Sequence, residues 1–481
     1  MAEISRLRQS VVVALCGGYF LVLLDVTVVN VALPSIGHAL SAQGAGLASI
    51  VDAYTVPLAA LLLPAGAIGD RVGHRRVVLV GLIGFGAASV LCALASGLSV
   101  LILGRFVQGM AAAVMLPGTL AMLTESAVDD RQRTRLVGVW AAVGGAAVPA
   151  GPVIGGFLVQ EWGWVSVFWV NVPVIAATGV VIARSKPAAP QGNYNPVGDD
   201  RVDWAGAVVL AVAIAAATVA VLRLRSSPTD AVIALSVAVA ASVGFVSIER
   251  RTHTTLLRVE RSARRQLIAA CLVAGLMNAC VLGTLFVLTQ LLQSVHHLSP
   301  LATGLVLLPA LLPLPLLGTV SARMTARFGT WPTSAIGITM SAIGFVVIAS
   351  TTDSLDRPVV TAGFVVWGIG LGILTPAIVT AAIEATPTTP GAASGASNTA
   401  RQIGAALGVA TFAVATGSSG APGFVQRVSW ALVTAAAAFA IAAATVTARR
   451  IWSNRGRAGA AHPAMTPTML NALVYDLLAS R

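Results

Sequence analysis

About 18 to 25 mostly apolar residues, then a short polar break, is the unit this chain repeats along nearly its whole length. A block of that size crosses a ~30 Å hydrocarbon core as an α-helix, since each residue rises ~1.5 Å and a helix satisfies its own backbone hydrogen bonds. Barrel strands would be shorter and would alternate in polarity. The pattern therefore predicts an all-α integral membrane protein, multi-pass in the cell membrane. Composition agrees: 57% of residues are hydrophobic and 10% charged, against roughly a quarter charged in a soluble domain. Spans are expected at 11–33, 46–68, 76–96, 99–123, 134–158, 164–184, 203–222, 229–248, 266–292, 299–323, 331–350, 358–383, 395–417 and 427–448, fourteen in all.

A net charge of +12 raises the question of nucleic acid, and its distribution answers it. With the N-terminus cytoplasmic, 24 of the 30 basic residues fall on inner segments. Arg223, Arg225, Arg357 and Arg427 fall outside, and Arg105 and Arg401 lie within spans. That asymmetry is the positive-inside rule, so both termini are expected in the cytoplasm and the basic charge sets orientation. Arg6 and Arg8 precede an apolar run as in a signal peptide, but no small-residue cleavage site comes before Asp25, which points to an uncleaved first helix. Cys16, Cys92, Cys271 and Cys280 lie in apolar spans without metal or redox spacing and read as packing residues.

Two long polar stretches, 183–204 and 248–266, divide the chain into six, two and six spans. The expected organisation is a first six-helix bundle over 1–184, a linker with two inserted helices over 185–264, a second six-helix bundle over 265–448 and a cytoplasmic tail over 449–481. Two bundles of equal size suggest internal duplication, a common transporter plan. "PAGAIGDRVGHRR" after span two and "PLLGTVSARMTARFG" after span ten form a weak echo at corresponding points. In the tail, Leu470, Leu473, Val474, Leu477 and Leu478 keep amphipathic spacing, which predicts a short helix over 469–480 behind Thr466 and Pro467.

Ionisable groups inside spans are costly and mark function. Asp25, Asp52 and Arg105 lie about six to eight residues from the outer ends of spans one, two and four, a depth of about 9 to 12 Å. Brought together, the guanidinium would favour ionised carboxylates while burial favours neutral ones, a combination suited to proton exchange. Asp25 is expected to be the main proton carrier and Asp52 an accessory or vestibule acid; a permanently ion-paired structural aspartate is the alternative. Thr27 and Asn30 lie on another face of the helix. Gln108 shares a face with Arg105 and, with Asn278, Gln290, Asn398 and Arg401, is a candidate for the substrate cavity. Interhelical hydrogen bonding is the plainer role for such side chains. In the loop after span two, Gly66 and Gly73 permit a tight turn, while Asp70 can pair with Arg71, Arg75 and Arg76 in a cytoplasmic gate that breaks as the bundles rock. Gly145, Pro149, Gly151, Pro152, Gly155 and Gly156 in span five combine close helix approach with bending.

These segments carry a resemblance. The chain resembles the major facilitator superfamily and, within it, the fourteen-span drug:proton antiporters of the EmrB/QacA type. "LDVTVVNVALP" looks like that group's first-helix signature, "GAIGDRVGHRR" is similar to the loop motif between helices two and three, "RFVQGMAAA" to the fourth-helix motif and "GPVIGG" to the fifth-helix antiporter motif. "WVNVPV", "DWAGA", "LSPLATGLVLLP" and "ARQIGAALGVA" extend the likeness through the later spans. The resemblance implies a major facilitator fold of two six-helix bundles plus two inserted helices, exporting small hydrophobic or amphipathic compounds such as drugs or antibiotics against protons.

No nucleotide-binding loop, metal-ligand cluster or nucleophile and base pattern emerges, so neither an enzyme nor a bound cofactor is expected. The driving force is then an ion gradient, and the partners are a small molecule, protons and the bilayer, with the protein expected to be monomeric. Proton-coupled uptake and a non-transporting sensor with a transporter fold are the alternatives. A single lysine, Lys186, against 29 arginines fits a high-GC bacterial gene.

Overall fold

The computed structural model describes residues 2–127, 129–185, 204–251, 261–386 and 390–460, and these residues form helices and short connections only. The tail segment 469–480 lies outside the described residues, as does most of the 185–203 linker. In the first bundle, α1 (Ala2–Leu40), α2 (Ala45–Val72), α3 (His74–Ala93), α4 (Leu98–Glu125) and α5 (Asp130–Trp162) are followed by the short α6 (Ser166–Trp169) and by α7 (Asn171–Arg184). The inserted pair is α8 (Trp204–Arg223) and α9 (Pro228–Arg251). The second bundle holds α10 (Arg261–Gln290), prolonged by a π-turn at Leu291–Val295, then α11 (Pro300–Leu311), α12 (Pro313–Leu316) and α13 (Gly318–Phe328). It closes with α14 (Thr330–Ala349), α15 (Arg357–Ala385), α16 (Pro390–Thr416) and α17 (Phe424–Ala460).

Among the described residues, 12 helices are long and apolar enough to cross a membrane, or up to 13 if the bent pair Pro300–Leu316 and Gly318–Phe328 is one span. The sequence reading of fourteen differs at two segments. Proline and glycine at 313, 315 and 318 break the tenth span, with a bend of 52°. α16 opens on small and polar residues and is not among the twelve. The first helix also departs from expectation: it continues through Pro34 to Leu40 instead of stopping at 33. Proline removes one backbone donor, whereas Ile36 beyond it is fully buried and anchors the extra turns.

Local signals set the helix ends. Asp129 accepts a hydrogen bond from the Gln132 N–H at 2.6 Å, and Ser299 one from the Ala302 N–H at 3.2 Å with Pro300 in the first turn. Gly73 between α2 and α3 (φ 92°) and Gly329 between α13 and α14 (φ 91°) adopt a backbone conformation that side-chain-bearing residues avoid. The two occupy the positions of the sequence echo.

Packing repeats in the same way. In the first bundle α1 packs on α5, α3 on α4 and α2 on α4; in the second, α10 packs on α16, α14 on α15, and α11 to α13 on α15. Across the molecule α2 meets α16 while α5 meets α11, the same two elements with their roles exchanged. Such reciprocity is what an approximate two-fold axis between duplicated bundles produces. The face carrying Asp70 and Arg131 is here the basic face. Several cross-bundle contacts lie toward the other end: Gly44 approaches Gly417, and Gly156 approaches the Pro300 carbonyl. α8 packs beside this α2–α16 seam, and α9 mainly on α8.

Candidate functional site

Arg105 projects from α4 into the first bundle, 1% exposed, and forms an ion pair with Asp25 of α1 at 2.5 Å. Its Nη1 also donates to Gln108 Oε1 at 2.9 Å and its Nε to the Ile50 carbonyl of α2 at 3.4 Å. The Tyr54 ring lies under the guanidinium, 4.3 Å from its centroid. A guanidinium cannot shed its charge here, so it needs a carboxylate, carbonyls and a π face together. The network extends outward: Asn171 Nδ2 donates to Asp25 Oδ1 at 3.2 Å and to Ser89 Oγ at 3.3 Å, and Gln108 Nε2 donates to Ser89 Oγ at 2.8 Å. Five helices thus converge on one buried charge pair. Asp25 lies fifteen residues from the end of α1, about 22 Å, while Arg105 lies about 10 Å from the start of α4. The ion pair places Asp25 and Arg105 at one depth; what differs from the span reading is the end of α1, which runs on to Leu40.

Asp52 is not part of this network. It is 4% exposed, and both of its carboxylate oxygens are buried without a hydrogen-bond partner. Ile50 and Tyr54 face Arg105, and two residues of helix turn α2 by about 200°, which carries Asp52 to the other side. On that side, one turn on, Val56 packs with Ile214 of α8 and Ala406 of α16. Asp52 therefore belongs to the face of α2 turned to the inter-bundle seam.

Gln108 is fully buried and bonded within the charge network, so it does not line a cavity. Its face is that of Arg105, and Arg105 points into one bundle. The other cavity candidates lie in the second bundle. Arg401 of α16 is half-buried at about mid-depth, with Nε 3.5 Å from Asn278 Oδ1 of α10. Asn398 is half-buried one turn earlier. Gln290 is buried near the far end of α10, a turn before Gln293, whose amide donates to the Val31 carbonyl across the bundles at 3.0 Å. On the first bundle, Tyr19 of α1 and Trp140 of α5 stack at 3.7 Å between ring centroids. Tyr19 lies within electrostatic reach of Arg401.

In the loop after α2, Asp70 bonds His74 at 3.2 Å, and His74 also reaches Glu125 of α4 at 3.5 Å. The expected pairing of Asp70 with Arg71, Arg75 or Arg76 is corrected: the turn at Gly73 brings residue 74 over residue 70, and Arg75 instead caps α7 through the Ile182 and Ala183 carbonyls. Arg71 and Arg76 are exposed. The residues of α5 form packing seams on two sides. Gly151 and Gly155 face Thr27 and Val28 of α1; Gly156 faces Pro300, Gly304 faces the Pro152 carbonyl, and Gly145 faces Pro315. Pro149 lies within the same helix. Thr27 and Asn30 bond to carbonyls of α1 itself. Ser89, Asn171, Tyr54, Tyr19, Trp140 and His74 were not singled out from sequence, although an uncharged polar residue in an apolar helix, as at Asn171, is a usable signal.

The sequence profile of the Major Facilitator Superfamily matches residues 15–409, a range that runs from within α1 through most of α16. The chain belongs to this superfamily. Relatives of this superfamily member include methylenomycin A resistance proteins of Streptomyces coelicolor, 32% identical over 407 residues and 84% of each chain, and of Bacillus subtilis, 33% identical over 83% of this chain and 86% of that one. The multidrug efflux pump LfrA of Mycolicibacterium smegmatis is 30% identical over 81% of this chain and 77% of its own. A peptide transporter POT in complex with sulfate shares the superfamily fold, with a TM-score of 0.68 at 16% identity over 91% of this chain and 94% of that one. The chain is therefore a multi-pass membrane protein whose superfamily relatives are transporters of small molecules, with named drug and antibiotic resistance proteins among them.

Proposed function

We propose that this protein exports small hydrophobic or amphipathic compounds, drugs or antibiotics among them, in exchange for protons by alternating access in the cytoplasmic membrane. Both termini are cytoplasmic in this reading, and the working unit is a monomer. This reading takes the spans as fourteen, which the packing of α16 on α10, as α5 on α1, and of α11 to α13 on α15, as α2 on α4, supports. The fourteen-span EmrB/QacA type is the matching subgroup.

The observation that carries proton coupling is the Asp52 carboxyl, buried at the inter-bundle face of α2 with both oxygens unpartnered. A charged carboxylate there has no compensating donor, whereas the neutral acid tolerates the seam. Protonation from the outside then favours closure of the outer seam, and the bundles open toward the cytoplasm, where the loop at Asp70 and Arg71, Arg75 and Arg76 sits. Asp25 exchanges its proton as its bond to Arg105 is made and broken. The gradient supplies the energy, and no cofactor takes part.

Proteoliposomes with a pH-reporting dye inside test the reading. Addition of methylenomycin A is expected to release protons only with the parent chain, while Asp25→Asn and Asp52→Asn fold and insert but no longer accumulate drug against a gradient. Uphill export by both variants at the parental rate would refute proton coupling through these carboxyls.

A further inference from the structure

The charge facing the inter-bundle space points to one class of substrate. Within the second bundle the described carboxylates are Asp353 and Asp356, beside the α14–α15 connection, and Glu384, in the last turn of α15 at the basic face. Among the described residues Arg401 is thus the charged group at mid-depth in that bundle, and no described carboxylate lies within 4.0 Å of it. Among the described residues its hydrogen-bond contact is to a neutral amide oxygen, Asn278 Oδ1, at a long 3.5 Å. On the first bundle, Asp25 is closed off by Arg105 and 2% exposed, so that pair presents little net charge. The aromatic wall formed by Tyr19 and Trp140 has an interplanar angle of 9° and is held by the Trp140 indole N–H, which lies 3.4 Å from Thr119 Oγ1.

Tyr19 and Arg401 come from opposite bundles and lie within electrostatic reach of each other, and Trp140 stacks on Tyr19. A molecule bound between the bundles at this level has the guanidinium on one side and the aromatic pair on the other. A guanidinium without a carboxylate in a low-dielectric setting favours an anion, and its planar fork matches a carboxylate. A flat aromatic pair across from it favours an apolar or aromatic body.

We propose that the preferred substrates are small amphipathic organic anions, with a carboxylate on Arg401 and Asn278 and an apolar ring against Tyr19 and Trp140. This rests on the export reading for the location of the cavity, but it concerns binding and needs no proton gradient.

Equilibrium dialysis with the purified full chain in detergent separates the two. The probes are naphthoate, its methyl ester and naphthylmethylammonium, alike in ring and unlike in charge. Naphthoate is expected to bind about 10- to 100-fold more tightly than either analogue, the range given by one charged hydrogen-bonded contact. Arg401→Gln is expected to erase that preference, with naphthoate affinity falling about 10-fold or more and ester affinity changing far less, and Arg401→Lys to restore part of it; retained ester binding also shows that the variant is folded. If Arg401→Gln does not fold, competition of naphthoate against the ester on the parent chain still decides by the ratio of affinities. Equal binding of the three probes, tighter binding of the ammonium, or an anion preference unchanged in Arg401→Gln overturns the proposal. A transport defect with the anion preference intact would count only against the coupling mechanism.

Discussion

Removing one side of the Asp25–Arg105 pair should cost far more than removing both. Asp25 accepts from Arg105 at 2.5 Å through one oxygen and from Asn171 at 3.2 Å through the other. An asparagine at 25 has one acceptor and one donor, so in either orientation its amide N–H faces another donor. With both partners 2% exposed or less, the variant leaves a buried guanidinium uncompensated. The expected cost of Asp25→Asn is about 3 to 5 kcal/mol, and Arg105→Gln falls in the same range because it strands the carboxylate. The double variant Asp25→Asn, Arg105→Gln places two neutral amides in the same space and should lose much less than the sum, a coupling of about 2 kcal/mol or more. Equilibrium unfolding in mixed micelles, followed by tryptophan fluorescence, measures all four corners of the cycle. Single effects that add to within about 0.5 kcal/mol would refute the pair as an energetic unit, and with it the claim that these residues meet in the membrane.

Two further outcomes follow from the geometry. Asp70→Asn, which weakens the link to His74 at the end of α2, is expected to slow turnover about several-fold with substrate affinity unchanged, because the loop lies several turns from mid-depth; single-turnover and binding assays on the same preparation distinguish this from a lost binding site. Gly304→Ala is expected to push α11 off the Pro152 carbonyl and lose transport at a cost of about 1 to 3 kcal/mol, whereas Gly138→Ala, with nothing within 4 Å of the added carbon, should be neutral or stabilising; melting temperature and export rate measured together test both.

The helical architecture was legible because each span must satisfy its backbone internally, and a long apolar block leaves few other solutions. Helix ends were less so: the first span is expected at 11–33, but the helix continues through Pro34 to Leu40. The meeting of Asp25 and Arg105 could be anticipated because a buried charge demands a partner. That demand does not identify neutral partners, so Asn171 and Ser89 went unseen although they complete the network. Gln108 shows the limit of a shared helical face: the spacing that groups it with Arg105 suits a cavity or an interhelical bond equally, and here its amide bonds Arg105 and Ser89 inside the bundle. In the basic-face loop, sequence order suggested arginine partners for Asp70, but the turn at Gly73 selected His74.

If the protein is proton-coupled as proposed, the placement of Asp52 bears on how the two aspartates share the work. α2 carries the unpartnered carboxyl on one side and, on the other, the Ile50 carbonyl and Tyr54 ring that hold Arg105. Any movement of α2 at the seam with α16 alters both environments at once. In a mechanism where protonation of Asp52 closes the seam, the same displacement shifts two of the contacts that keep Arg105 on Asp25. A proton event at the bundle interface is thereby converted into a change in an ion pair one helix away, without requiring Asp25 to reach water directly. Under the proposed mechanism, Asp25 would be the internal half of a coupled pair of carboxyls, with α2 as the mechanical connection between them.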